Sequence, residues 1–406
     1  MKREKNRWLI LIAAIVTNLA LGAGYAWSVF QTALLEVNTD WTLSETSLAF
    51  SISFAMVPLG MIICGPIVDK HGGKKVVLVA GLLFGLGMFL TGFANSIIVL
   101  YLTYGLILGL GIGAGYGTAT ALTVKWFPDK KGLAGGLTAA GFGSGAIILA
   151  PIATSMIESV GVNNTFKILG GVLLVVICAA SFVMENPPVQ EKVVGAVSEK
   201  DKNYKEMLHE SNFWILWAVY TVAATSGLMV IGHAANLASY YSLGAGTVIV
   251  MVVGLANTLG RIFWGSISDI IGRYKTIMVM FIVSGSGLLL LNFSNTLGAI
   301  AGVVGLVFIA LSFGGFLGSF PGITSENWGA SKSASNYGWM FTAYGIASIL
   351  GPTLASSIKE SSGSYSIALL ISAGMAIIGA GMILWYMYRV KVNKKSTVKQ
   401  KMIKES

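Results

Sequence analysis

An arginine lies inside an apolar stretch of this chain. The segment GRIFWGSISDIIGRYKT covers residues 260–276, and its Arg261 follows an apolar run that begins near Val248. Inserting a charged side chain at mid-membrane costs roughly 3 kcal/mol or more. A guanidinium presents a planar fork that matches a carboxylate in two hydrogen bonds. An arginine at this position could therefore bind an anion, if no protein carboxylate pairs with it.

The acidic residues offer Arg261 no partner at its depth. All 17 of them fall in predicted loops, tails or helix ends. Arg261 precedes Asp269, at the predicted helix end, by eight residues, which places it about 12 Å inside at 1.5 Å per residue. That depth is too great for its side chain to reach the interface easily. We predict that a substrate anion is its partner; a structural role is the alternative.

Two further polar residues lie in apolar segments. Asn257 precedes Arg261 by one helical turn on the same face, where it could orient Arg261, contact substrate or bond a neighbouring helix. His233 has a titration range that suits proton coupling, with a structural role as the alternative. The sequence shows neither a nucleophile–base pair nor a metal-ligand spacing, so we predict no catalytic residue, no metal and no cofactor.

The composition indicates what positions these residues. The chain has 406 residues, of which 55% are hydrophobic and 11% charged, and its mean hydropathy is +0.76. These values exclude an ordinary soluble protein. Since a spanning helix needs about 20 mainly apolar residues, we predict an all-α membrane protein with twelve transmembrane helices, at approximately 8–33, 45–67, 75–94, 97–124, 132–157, 165–184, 212–236, 246–268, 274–293, 297–324, 335–357 and 364–389.

The basic residues are concentrated in alternate connections, and only Lys167 and Lys359 fall in segments that we predict outside. Net charge is +10, and basic residues gather at the N-terminus, after predicted spans 2, 4, 6 and 8, and in the tail. This pattern predicts a multi-pass protein of the cytoplasmic membrane with both termini in the cytoplasm. It argues against nucleic acid as a partner, and it predicts that the tail meets anionic lipid headgroups.

The two halves of the chain repeat. GPIVDKHGGKK from Gly65 and GSISDIIGRYK from Gly265 align at a constant offset. Parallel repeats of this kind predict two pseudo-symmetric six-helix bundles with a substrate site between them. We predict an N-terminal bundle over 1–184, a cytoplasmic linker over 185–211, a C-terminal bundle over 212–390 and a basic cytoplasmic tail over 391–406.

The repeated loops carry candidate gating residues. Asp69 and Asp269 begin the two loops, and basic residues follow them at Lys74, Lys75 and Arg273. We expect the two carboxylates to pair with basic loop residues or helix N-termini across the bundles, which would hold one side closed. Such pairs would control opening and would not bind substrate.

The same loops resemble the signature of the major facilitator superfamily, G-x-x-x-D-x-x-G-[RK]-[RK]. Four further segments resemble the oxalate/formate antiporter family, which is related to the monocarboxylate transporters: NRWLILIAAIVTNLALGAGYAWSVF, GAGYGTATALTVKWFPDKKGLAGGLTAAGFGSG, NLASYYSL and SASNYGWMFTAYGIASILG. The resemblance covers essentially the whole chain. It implies the major facilitator fold and a carrier for small anions that works by alternating access.

The resemblance also implies a substrate site. The family's substrate-binding arginine on helix 8 corresponds to Arg261, and two of its cage tyrosines correspond to Tyr25 and Tyr116. Phe142 stands where the family's oxalate-transporting member has a tyrosine, and Phe313 stands where it has a tryptophan. These aromatic side chains would wall a small pocket.

Tyr344 stands where that member carries a second cation, a lysine on helix 11. A site with one cation should prefer one carboxylate, because a dianion would keep a second charge desolvated. We therefore predict transport of small monocarboxylates such as formate, lactate or pyruvate, by anion exchange or proton symport. Tyr344 would contribute a hydroxyl to that site.

Other functions remain open at this stage. A membrane sensor of small organic anions is one alternative, and oxalate/formate exchange proper is another. Export of cations would be expected to use an acidic residue inside the membrane, and none is predicted there. No Walker-type loop is present, so we expect no role for ATP. The fold that we predict is compatible with a functional monomer.

Overall fold

The computed structural model describes residues 6–127, 131–187, 202–329 and 333–405, without the side chains of 69–71, 131–133, 269, 333–334 and 392–405. In this part the chain forms helices and no strand. Twelve of its helical segments are long and apolar enough to cross a membrane. The predicted fold class is confirmed.

The spans are numbered 1 to 12 in chain order and are named by these numbers below. They are Arg7–Val37, Leu43–Val68, Gly73–Thr91, Ile97–Trp126, Ala134–Val160, Val162–Ser181, Ser211–Tyr240, Gly246–Ser268, Arg273–Asn292, Ala299–Trp328, Ser335–Ser362 and Ser366–Lys391. The largest difference from the predicted ends is five residues, at the end of span 11, which we predicted at 357 and which the structure places at Ser362.

Equivalent helix pairs recur in the two halves. Span 3 packs on spans 4 and 6, as span 9 packs on spans 10 and 12, and span 2 packs on span 4 as span 8 packs on span 10. The halves then meet through spans 5 and 8, 2 and 11, and 1 and 7. This arrangement gives two pseudo-symmetric bundles with a shared interface, in which the repeats occupy equivalent positions.

Small residues permit the close approaches between spans. A Cβ on Gly314 of span 10 would overlap the backbone carbonyl of Asn257 on span 8. A Cβ on Gly22 of span 1 would overlap the carbonyl of Phe142 on span 5. Glycine is needed at such positions because helices in lipid associate mainly through close packing. The abundance of glycine in the sequence, 51 residues, has this structural use.

In spans 1 and 11 the α-helix is interrupted near the contact between the two bundles. Span 1 consists of α-helices Arg7–Leu21 and Trp27–Val37, joined by a 3-10 segment over Gly22–Ala26. Span 11 consists of helices Ser333–Met340 and Thr342–Ser362, which meet at Phe341. The sequence pattern predicted neither interruption. Both bring aromatic residues to the contact between the bundles.

The predicted linker and tail both contain helix. The linker, 185–211, includes a short helix over Tyr204–Leu208. Just before that helix, Lys202 accepts a hydrogen bond from Asn336 (2.9 Å) through its carbonyl and donates one to the carbonyl of Trp328 (3.0 Å), so this end docks on the second bundle. The predicted tail, 391–406, is not a separate segment as far as the structure describes it, because one helix runs over Ser366–Glu405. The domain boundaries stay a prediction.

Candidate functional site

A small cavity lies between the two bundles, at the middle of the interface. The empty space among its side chains totals about 250 Å³, part of it open to solvent, and the cavity has room for no more than about one water molecule. The walls are mostly aromatic or aliphatic, and the lining includes one charged side chain. The lining residues are Tyr25, Phe54, Val57, Ile112, Tyr116, Phe142, Arg261, Leu317, Phe341 and Tyr344.

Arg261 supplies that charge, and it is nearly inaccessible at 6% exposure. Its Nη1 donates a hydrogen bond to the carbonyl of Ala139 on span 5, at 2.8 Å, across the bundle interface. Its Nε has no hydrogen-bond partner. The ion pairs found in the described part, Lys202–Glu210 and Arg273–Glu326, do not include it. Within that part the guanidinium charge is uncompensated.

Two tyrosine hydroxyls meet beside this guanidinium. The hydroxyl of Tyr25, in the 3-10 segment of span 1, lies 3.2 Å from the hydroxyl of Tyr344 on span 11. Both tyrosines line the cavity together with Arg261. Only one hydroxyl can donate to the other, so the second proton is free for a ligand. Together, the guanidinium and the hydroxyls form a polar surface that both bundles contribute to.

Of the aromatic residues implied by the resemblance, some line the cavity and one lies outside it. Phe142 packs edge-on against Tyr25 and Tyr116, with ring centroids 4.9 and 5.2 Å apart, and these three residues line the cavity. Phe313 does not line it. Its ring lies behind Tyr344, 6.3 Å away and stacked, where it supports the wall.

Asn257 also lies outside the cavity lining. Its side chain is fully buried where span 8 meets span 10, close to Gly314. Neither its Oδ1 nor its Nδ2 has a hydrogen-bond partner in the structure. The predicted contact of Asn257 with Arg261 or with substrate therefore stays a prediction.

His233 lies away from the cavity, within the interface. Its Nε2 is 3.0 Å from the carbonyl oxygen of Pro352 on span 11 and 3.4 Å from Oγ of Ser47 on span 2. Since Ser47 belongs to the first bundle and His233 to the second, the imidazole joins the two. The geometry assigns His233 to the contact between the bundles, and His233 does not line the cavity that contains Arg261, Tyr25 and Tyr344.

Two of the basic gating candidates, Arg273 and Lys74, contact residues of their own bundles. Arg273 pairs with Glu326, in the second bundle. Lys74 places its Nζ over the ring of Phe182, 5.2 Å from the centroid, and Lys75 is exposed. Glu326 lies near the end of span 10, which adjoins the start of span 9, so this ion pair joins two helices of one bundle.

The acidic gating candidates cannot be placed in the same way. The side chains of Asp69 and Asp269 lie outside the described part of the structure, although both residues belong to helices. Their pairing across the bundles stays a prediction.

Several wall residues were missed by the sequence reasoning. Phe341 stacks on Tyr344 with ring centroids 4.5 Å apart. Because Phe341 precedes Tyr344 by three residues, helical periodicity places both on one face and could have predicted this contact. Phe54 stacks on Tyr25 at 5.3 Å, but it belongs to a distant part of the chain, so no local signal pointed to it. The other lining residues that were not assigned to the site are Val57, Ile112 and Leu317.

Hydrogen bonds close the half of the interface opposite the chain ends, which we call the distal half. Fully buried Gln31 donates to the side chains of Thr46 and Ser47 at 2.9 and 2.8 Å, and it accepts from Asn236 of span 7 at 2.8 Å. Further bonds between the bundles in this half join Ser28 to Ala235, Thr32 to Asn236, Ser44 to Glu360, Ser51 to Ser348 and Thr154 to Thr247.

Comparison with known proteins agrees with this architecture. The sequence profile of the Major Facilitator Superfamily matches residues 12–352 and 234–405. The chain is 34% identical over 350 residues to the uncharacterized MFS-type transporter YhjX of Escherichia coli (strain K12), which covers 85% of this chain and 87% of that one.

Two named transporters are also similar. The oxalate:formate antiporter of Oxalobacter formigenes is 32% identical over 398 residues, covering 97% of this chain and 94% of that one. Human monocarboxylate transporter 12 is 26% identical over 380 residues, covering 84% and 72%. The chain therefore belongs to the Major Facilitator Superfamily, whose members are membrane carriers and not enzymes, and it is related to the oxalate:formate antiporter and the monocarboxylate transporters.

Proposed function

We propose that this protein carries small monocarboxylate anions, such as formate, lactate or pyruvate, across the cytoplasmic membrane by alternating access. The observation that carries the proposal is Arg261: a buried guanidinium in a cavity shared by both bundles, with no acidic partner in the described part of the chain. Keeping this charge buried is costly unless something anionic pairs with it. A carboxylate is the ligand that fits the guanidinium fork.

The guanidinium and the tyrosine hydroxyls of the cavity would each hydrogen-bond a bound carboxylate. A carboxylate would take the guanidinium N–H groups, including the Nη1 that now donates to the carbonyl of Ala139. Tyr25 or Tyr344 would donate its free hydroxyl proton to the same ligand. Because the two tyrosines belong to different bundles, a ligand held by both would stabilise a closed arrangement around itself. The aromatic walls would exclude water and strengthen these interactions.

The charge of the cavity favours a monocarboxylate. Among the described residues that line it, Arg261 is the one with a charged side chain, and Tyr344 stands where the resemblance implies a second cation. An oxalate dianion would bury one carboxylate without a partner, at a cost of several kcal/mol.

Oxalate/formate exchange is the second candidate. It is supported by the 32% identity to the oxalate:formate antiporter over nearly the whole chain. In that case the second carboxylate would rely on the Tyr25 and Tyr344 hydroxyls.

The driving force would be an anion or proton gradient, and ATP would have no part in it. Both chain ends would face the cytoplasm, as the distribution of basic residues predicts. The distal half of the interface would then face the outside. A single chain would suffice, since one chain contains both bundles and the complete cavity.

Uptake into proteoliposomes tests the proposal. We would measure labelled formate, lactate, pyruvate and oxalate with wild-type protein, with Arg261→Gln and with protein-free liposomes, since small neutral acids cross lipid unaided. Arg389→Gln is the matched control, because it removes an arginine at the end of span 12 that donates to Oγ of Ser211 and does not line the cavity. We expect saturable uptake of a monocarboxylate that Arg261→Gln abolishes and Arg389→Gln retains.

The outcomes separate the candidates. Uptake that survives Arg261→Gln would assign this arginine a structural role and refute the proposed site. Saturable uptake of oxalate would favour the second candidate. Binding of a monocarboxylate without uptake would indicate a sensor. Repeating the measurement with internal anion, or with a pH gradient, distinguishes exchange from proton symport.

A further inference from the structure

A polar cluster surrounds His233 at the distal half of the interface. Ser47 of span 2 accepts a hydrogen bond from Gln31 of span 1 at 2.8 Å and lies 3.4 Å from the imidazole of His233 on span 7. Nε2 of the same imidazole lies 3.0 Å from the carbonyl oxygen of Pro352 on span 11. The chain of contacts therefore runs from two helices of one bundle to two helices of the other.

The contacts of His233 specify its protonation state. The carbonyl of Pro352 can only accept a hydrogen bond, so Nε2 carries a proton and donates it. Nδ1 is buried and has no partner, and the residue as a whole has 0% exposure. A neutral imidazole fits this arrangement. Protonation would add an N–H without an acceptor and a charge without a counter-ion, and both are costly in a buried site.

The ionisable groups around the cluster do not provide that counter-ion. Among the described contacts, the imidazole meets one of them, Tyr365, with ring centroids 5.8 Å apart. Glu45 accepts from the backbone of Thr42, and Glu360 from Ser44. Lys359 lies over the ring of Tyr240. The ionisable side chains near the cluster along the packed spans are Glu36, Glu45, Tyr240, Lys359, Glu360 and Tyr365, with Tyr25, Tyr344 and Arg261 toward the cavity.

We propose that His233 is a pH-sensitive latch between the bundles, which holds the distal half closed when neutral and releases it when protonated. The role differs from carrying the proton with substrate, because the closed state has no place for the charged imidazole. It goes beyond the proposed function and does not depend on which anion is carried. If the distal half faces the outside, external acid would favour the outward-open carrier.

The size of the effect follows from linkage. In an open, hydrated interface the imidazole would titrate near its ordinary pKa of about 6.5. Lower pH favours the state that binds more protons, which is the open one. Suppose that the closed state accepts only the neutral imidazole. The population ratio of open to closed protein is then multiplied by one plus the ratio of charged to neutral imidazole in the open state. That factor is about 1.1 at pH 7.5 and about 11 at pH 5.5, roughly a tenfold change.

The test is the alkylation rate of a reporter cysteine behind the latch. The background carries Cys64→Ser and Cys178→Ser, and the reporter is Ala146→Cys, which is 1% exposed on span 5. Asn295→Cys, exposed between spans 9 and 10, corrects for the pH dependence of thiol reactivity itself. Purified protein in nanodiscs is labelled with a polar thiol reagent at pH 7.5 and at pH 5.5.

We expect the corrected rate to rise up to about tenfold on acidification in the protein with His233, and by less than about twofold in His233→Gln. Glutamine can still donate to the carbonyl of Pro352, but it does not titrate. His233→Asn is a second neutral variant in case the first is not recovered. His209→Gln, an exposed histidine before span 7, is the matched control and should keep the full pH response.

Two results would overturn the latch. One is a pH response that persists unchanged in His233→Gln and His233→Asn. The other is a corrected rate in the parent protein that does not change between pH 7.5 and 5.5. Neither measurement needs a substrate, so the latch can fail while the proposed transport stands, and the reverse also holds.

Discussion

Replacing Tyr344 by lysine should shift the substrate preference of the cavity toward a dicarboxylate. Tyr344 is 2% exposed and lines the cavity together with Arg261. An ammonium at its position would give a second carboxylate a cationic partner. An opposite charge about 4 Å away is worth up to about 4 kcal/mol at an effective dielectric constant of 20.

Two effects must be separated from this gain. The substitution removes the hydroxyl contact with Tyr25 and the stacking on Phe341, about 1 kcal/mol each, but these losses lower the stability of the protein and are the same for both ligands. Desolvation of the second carboxylate and of the ammonium accompanies oxalate binding and offsets part of the Coulombic gain. We expect a net improvement of about 1.4 kcal/mol for oxalate relative to formate, which corresponds to about a tenfold change in relative affinity.

The assay is competition by unlabelled oxalate and formate against labelled formate uptake into proteoliposomes. Tyr337→Lys is the matched control: it adds the same charge on span 11, but Tyr337 contacts the hydroxyl of Tyr220 and does not line the cavity. A Tyr344→Lys protein that folds, and in which oxalate competes no better than in wild type, would refute our placement of Tyr344 at the second carboxylate. An equal gain in Tyr337→Lys would show an effect of net charge alone.

Three more substitutions have defined outcomes. Tyr25→Phe removes a hydroxyl at the bundle contact and should raise KM for the transported anion about fivefold to tenfold, since a hydrogen bond contributes about 1 kcal/mol; an unchanged KM would place this hydroxyl outside the site. Gly22→Ala adds a Cβ that overlaps a backbone carbonyl of span 5, so it should destabilise the protein by about 1–3 kcal/mol and lower its Tm in detergent. Gly171→Ala is the control and should leave the Tm unchanged, because the space around Gly171 is open. Gln31→Leu removes three hydrogen bonds of the distal half and should increase alkylation of a cysteine placed there at every pH, and an unaltered rate would contradict a role of this network in closure.

The sequence alone determined the architecture of this protein. Long apolar segments can satisfy their backbone hydrogen bonds in lipid only as helices, so their number and approximate ends follow from hydropathy. The repeated loops after spans 2 and 8 indicated two equivalent halves, and the helix pairs of the structure agree with them. The depth of Arg261 and the absence of acidic residues at mid-span also followed from position along the chain.

Tertiary structure decided which residues share a space. Tyr25 and Tyr344 are 319 positions apart, and no local pattern shows that their hydroxyls meet at 3.2 Å. Phe54 entered the wall and Asn257 and Phe313 stayed outside it, because the interruptions in spans 1 and 11 and the glycine contacts set how the helices turn toward one another.

His233 shows the same division most clearly. Its position in the sequence indicated a titratable group inside the membrane. The packing of the two bundles determines that this group contacts Ser47 and Pro352 and does not line the cavity with Arg261. Helical periodicity is a local property, and it fixes which face of a span a residue occupies. The neighbours of that face depend on how both bundles pack, and this arrangement is determined by contacts between distant parts of the chain.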